Sequence, residues 1–192
     1  MNNRIARWFC FHALAALLVV LLGNFSTHAA SVGPAGYTND FTVWPVTADW
    51  ATVGVPGGGG DVYDLDTDVN TNLAYSVTGI GFQVVSNAAA LPAQLTNATW
   101  SSSGGFVQTR PNGTRATVLL GKFVNNTGTN AAQIRIAYQL TLAGTAVNED
   151  AGKGTHVYYS LSGLSGSWLP LAALNNAANT GTVALSTNLA VN

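Results

Sequence analysis

Gln133-Ile134-Arg135-Ile136-Ala137-Tyr138-Gln139-Leu140-Thr141-Leu142 is the stretch on which the fold turns. Ile134, Ile136, Tyr138, Leu140 and Leu142 share one parity. Gln133, Arg135, Gln139 and Thr141, with Ala137, share the other. Side chains alternate faces along a strand, so this pattern is one apolar and one polar face of a half-buried antiparallel strand.

Outward from it the pattern repeats in shorter form. Residues 156–161 alternate likewise, with Val157, Tyr159 and Leu161 expected inward and His156, Tyr158 and Ser160 outward. Residues 115–124 are apolar on both faces and predict one central strand, followed by a turn at Asn125-Asn126-Thr127-Gly128. Phe106-Val107-Gln108-Thr109 runs into the turn Arg110-Pro111-Asn112-Gly113. Further strands are expected at Phe41-Thr42-Val43-Trp44, stopping at Pro45, and at Trp50-Ala51-Thr52-Val53, ahead of Pro56-Gly57-Gly58-Gly59-Gly60. One bent strand or two short ones are expected within 73–85, one at Trp168-Leu169 and a last one within 182–185, while 87–98 reads as a loop or short helical turn. Many short strands between turn signals predict an all-β chain, an antiparallel sandwich of jelly-roll-like form with Trp44 and Trp50 between its sheets.

The amino terminus reads differently. Arg4 and Arg7 precede an apolar run from Trp8 to Leu22, and small residues around Ala29 follow. That order predicts a cleavable signal peptide over residues 1–29, with one sandwich domain over 30–192. The run is shorter than the roughly 20 apolar residues of a membrane span and contains His12. The expected address is therefore secreted or cell-surface, with no membrane attachment after cleavage. Removing 1–29 takes away the only cysteine, Cys10, and leaves five basic residues against eight acidic, a net charge of −3. No basic cluster remains to bind nucleic acid. Charged residues are only 8% of the chain, so Thr, Ser, Asn, Gln and Gly must cover its surface.

The acidic stretch around Asp61, Asp64, Asp66 and Asp68 is the one charge constellation. As an extended strand it would hold Asp64, Asp66 and Asp68 about 7 Å apart in turn. As a tight loop it would let all three reach one calcium ion at about 2.4 Å. Val69 and Tyr75 stand where an EF-hand begun at Asp64 needs Gly and Glu. A solvated acidic loop without cofactor is the expectation, with calcium at those three carboxylates as the alternative. His156 is the only histidine after residue 29, near Glu149, Asp150, Ser160 and Ser162, but no nucleophile-elbow motif surrounds a serine. Trp100, Tyr158 and Trp168 are the candidate stacking residues for a sugar ring, against the commoner fate of aromatic side chains in cores.

Several short motifs carry a resemblance. They are Tyr37-Thr38-Asn39-Asp40-Phe41, Asp49-Trp50-Ala51-Thr52, Ala98-Thr99-Trp100-Ser101-Ser102-Ser103-Gly104-Gly105, Gln108-Thr109-Arg110-Pro111, Asn125-Asn126-Thr127-Gly128 and His156-Val157-Tyr158-Tyr159-Ser160-Leu161 leading to Ser167-Trp168. Over about residues 37–170 the chain resembles the amino-terminal sandwich domain of large secreted or surface proteins of planctomycete and verrucomicrobial bacteria. The resemblance implies a jelly-roll-like module similar to carbohydrate-binding modules, and further strands beyond Asn192 in a longer domain. The function expected is thus a non-enzymatic module of surface architecture or adhesion, meeting extracellular glycan or cell-surface components. A carbohydrate-binding module is the alternative and an exported hydrolase the second alternative.

Overall fold

The computed structural model describes residues 29–46, 49–56, 65–73, 83–85, 97–109, 115–142, 154–176 and 181–191. Residues 1–28, which hold most of the expected signal peptide, lie outside them, as do Asp61, Asp64, Glu149, Asp150 and the turn at 110–113. In chain order the elements are β1 (Ala30–Val32), β2 (Trp50–Pro56), α1 (Leu65–Asn72), β3 (Gln83–Val85), β4 (Thr99–Ser101), β5 (Phe106–Gln108), β6 (Arg115–Gly121), β7 (Phe123–Asn125), β8 (Gln133–Leu142), β9 (Tyr158–Tyr159), β10 (Leu169–Pro170), a 3-10 turn (Ala172–Leu174) and β11 (Gly181–Ala190). The described chain is dominated by strands with a single α-helix, so the fold is all-β in character.

The strands form small sheets. β2 pairs antiparallel with β6, and β8 with β11 over ten residues. β9 pairs antiparallel with β10, and β4 with β5. β1 and β7 run parallel, as do β3 and β4. The core gathers on one face of β2–β6. Ala51, Val55 and Leu120 pack there with Val69 and Leu73 of α1, and Val53, Leu65, Val118, Tyr158 and Trp168 lie against them. Thr52 belongs to the opposite parity. It is fully buried, donates to Val118 O at 3.0 Å and accepts from the Ala98 backbone, which fastens the chain entering β4 to that second face.

Several expectations are corrected. Residues 41–44 form bends rather than a strand. Asn39 Oδ1 accepts the Phe41 N–H at 2.9 Å, and Asp40 Oδ1 accepts both the N–H and the hydroxyl of Thr42. These short side chains outcompete a ladder for the backbone, and Phe41 enters the left-handed region with φ 58°. The single strand expected at 115–124 is two strands, because Lys122 donates its N–H to Asp49 O and accepts from Ala30 N, both at 2.9 Å. In 156–161 only Tyr158–Tyr159 form a strand. Ser160 Oγ accepts the N–H of Ser162 and of Gly163, which ends it, and Leu161, expected inward, is 70% exposed. Tyr158, expected outward, packs against the core. Residues 65–72 are helical, neither strand nor loop. Leu65, Val69 and Leu73 recur at a spacing of four, which puts them on one helical face against β2. The last strand is longer than 182–185 and spans Gly181–Ala190, because β8 supplies a partner along its whole length.

Candidate functional site

The proposed ligand residues fall in two places. Tyr158 and Trp168 surround α1. Trp168 Nε1 donates to Leu73 O at 2.7 Å, and its backbone N–H donates to Asn70 Oδ1 at 2.9 Å. Gly166 N donates to Asn70 O at 2.7 Å, and Ser165 Oγ donates to Thr71 O. The last carbonyls of a helix have no partner within it. Here the 165–168 segment supplies donors to them, so this aromatic loop serves as the cap of α1. Tyr158 completes the attachment, its hydroxyl donating to Asp66 Oδ1.

Trp100 lies on β4 and is half-buried. Its Nε1 donates to Phe41 O at 2.8 Å, and its ring meets Trp44 edge-on at 5.4 Å. The 41–44 bend is thus pinned onto the β4–β5 hairpin. The fit is close at Gly105, where an added Cβ would lie 3.1 Å from Thr42 Cα and φ is +63°. All three proposed stacking residues therefore engage their polar atoms with their own chain.

A second aromatic group escaped the sequence reading. Phe123 meets Tyr37 at 5.4 Å and Trp50 at 5.7 Å, both edge-on, and Trp50 meets Phe41 at 4.9 Å. Trp50 Nε1 donates to Tyr37 Oη at 2.8 Å. Gly121 sits beneath these rings, and a Cβ there would approach Phe123 to 2.9 Å and Trp50 to 3.0 Å. The signal in sequence was the pairing of a glycine with flanking aromatics, which only the β2–β6 register brings opposite one another. Phe123 is 51% exposed and Trp44 36%, so both rings are open to solvent. The carboxyl of Asp40 is held below the usual carboxylate range, first by the Thr42 N–H and then by its hydroxyl.

The proposed metal ligands are only partly placed. Asp64 lies outside the described residues. Asp66 and Asp68 occupy α1 two residues apart, a spacing at which helical side chains do not face each other. Among the described residues no three of His, Cys, Asp and Glu gather as a metal site. His156 Nδ1 lies 3.4 Å from Asn175 Nδ2. Ser160 and Ser162 each hydrogen-bond Ser167 Oγ, at 2.6 and 2.9 Å. An open depression of about 320 Å³ lies on the β8–β11 ribbon beside Tyr138, Leu185 and Ser186.

Comparison with known protein families, curated proteins and solved structures finds no match for this chain. Among the described residues no helix is long and apolar enough to cross a membrane, which says nothing of β-barrels.

Proposed function

We propose that this chain is an exported, non-enzymatic β-sandwich module of jelly-roll-like form, serving surface architecture or adhesion. The observation that carries this reading is how the aromatic polar atoms are used. Trp100 bonds Phe41 O, Trp168 bonds Leu73 O, Tyr138 bonds Leu174 O and Tyr158 bonds Asp66. Each joins segments far apart in sequence, so these side chains hold the domain together. The apolar run behind Arg4 and Arg7 supports the export part, and the motifs between residues 37 and 170 support kinship with planctomycete-type surface domains.

A glycan-binding module is the second reading, favoured by the exposure of Trp44 beside Trp100. One experiment separates them. The chain is expressed in a secreting bacterial host, its amino terminus is sequenced, and the exported product is applied to a polysaccharide array with and without calcium. The architectural reading expects export with removal of residues 1–29 and no saturable glycan binding. Saturable binding abolished by Trp44→Ala would establish the second reading, and retention of the intact chain inside the cell would defeat the export part.

A further inference from the structure

We infer that the outer edge of β11 is an assembly surface that pairs with β11 of a second copy of this chain, antiparallel about a two-fold axis. The inference goes beyond the architectural reading and stands whether or not the chain is exported or binds glycan. It starts from the backbone. Val191 N donates to Ala132 O at 3.1 Å, directly beyond the facing pair Ala190 and Gln133. Facing pairs in an antiparallel ladder alternate between those that exchange hydrogen bonds and those that do not. Residues of Val191's parity, namely Val183, Leu185, Thr187 and Leu189, therefore turn their N–H and C=O groups toward β8. Thr182, Ala184, Ser186, Asn188 and Ala190 turn theirs away. Among the described residues no strand takes up this outward row, since β11 pairs only with β8.

Chemistry then selects the occupant. Protein edges are ordinarily protected by lysine, proline, a bulge or short length. β11 has ten residues, an uninterrupted register and neither charge nor proline in Gly-Thr-Val-Ala-Leu-Ser-Thr-Asn-Leu-Ala. The ribbon's other strand, β8, carries Arg135. An uncharged strand can face its own copy across a two-fold axis without placing like charges together. Parity fixes the register. When outward residues bond outward residues, facing numbers sum to an even value. Val183, Leu185, Thr187 and Leu189 of both copies then fall on one face, continuing the half-covered apolar stripe of Ile136, Tyr138 and Leu140. A slip by one residue would lose both the hydrogen bonds and the stripe. The axis of greatest overlap passes through Leu185 or Ser186.

The test is sedimentation of the full chain, as it accumulates in the producing cell, over a concentration series, with amide hydrogen exchange on the same samples. A monomer–dimer equilibrium is expected. The Ala184, Ser186 and Asn188 amides should be fast in the monomer and protected in the dimer, with Val183, Leu185 and Thr187 slow in both. Ser186→Lys should raise the dimer dissociation constant by about tenfold or more. Ala137→Lys, which faces Ser186 across the ribbon, should leave it unchanged. Monomer at every concentration with fast outward amides would overturn the inference. So would a dimer whose outward amides stay fast, or one that Ala137→Lys disrupts as much as Ser186→Lys; the exchange pattern of the unaltered chain decides the matter even if a lysine variant fails to fold.

Discussion

Trp168 has two bonds to the end of α1, one from its indole to Leu73 O and one from its backbone to Asn70 Oδ1. Replacing the ring by phenylalanine keeps the backbone bond and most of the packing but leaves a carbonyl of a buried residue without its donor. Trp168→Phe is expected to cost about 1–3 kcal/mol in a urea titration, the range for an orphaned buried polar group. Tyr138 offers a pH-dependent counterpart. Burial raises its phenol above the ordinary range, and its hydroxyl donates to the carbonyl of the fully buried Leu174. The folded chain thus keeps a proton that the unfolded chain releases near pH ~10. This contribution to stability is complete below that pH and is lost as pH climbs through the raised value. Tyr138→Phe should flatten the alkaline loss of stability while costing about 1 kcal/mol at neutral pH; an unchanged alkaline profile would show that another group controls it.

The helix α1 shows how an element depends on what surrounds it. Its eight residues are too few to be stable alone in water. Leu65, Val69 and Leu73 bind it to β2, while the 165–168 segment satisfies its final carbonyls. Leu73→Ala should therefore cost about 2–5 kcal/mol, as expected for truncating a fully buried leucine. Leu161→Ser, at a leucine 70% exposed, should change stability by less than about 0.5 kcal/mol. The same helix bears on calcium. Asp66 is engaged by Tyr158, and Asp68 points elsewhere around the axis. Adding calcium is expected to leave the melting temperature unchanged, and Asp66→Asn to lower it equally with and without the ion. A calcium-dependent rise that Asp66→Asn abolishes would establish a role for these carboxylates.

At the scale of the whole molecule, the division between sequence and structure follows the range of the interactions. Residues 133–142 announced a strand because alternation is a local property, and β8 occupies those residues. The turn at 125–128 was equally local, with Asn125 Oδ1 accepting Thr127 N and Gly128 at φ 80°. The bend at 41–44 was also encoded nearby, in Asn39 and Asp40, but β-forming Phe, Val and Trp concealed it. The candidate site was less legible. Aromatic residues were identifiable, yet whether each indole or phenol finds a partner in its own chain depends on carbonyls 36 to 95 residues away. Thus the sequence by itself determined the strand-rich character, the low charge and the expectation of export, since composition and period-two alternation need no partner to be read. Only the tertiary structure decided that Trp100, Tyr158 and Trp168 hydrogen-bond distant segments, that 65–72 is a helix and that β11 runs ten residues. Each of those outcomes rests on a hydrogen bond or a packing contact supplied from a distant segment, and no local pattern specifies where such a partner will lie.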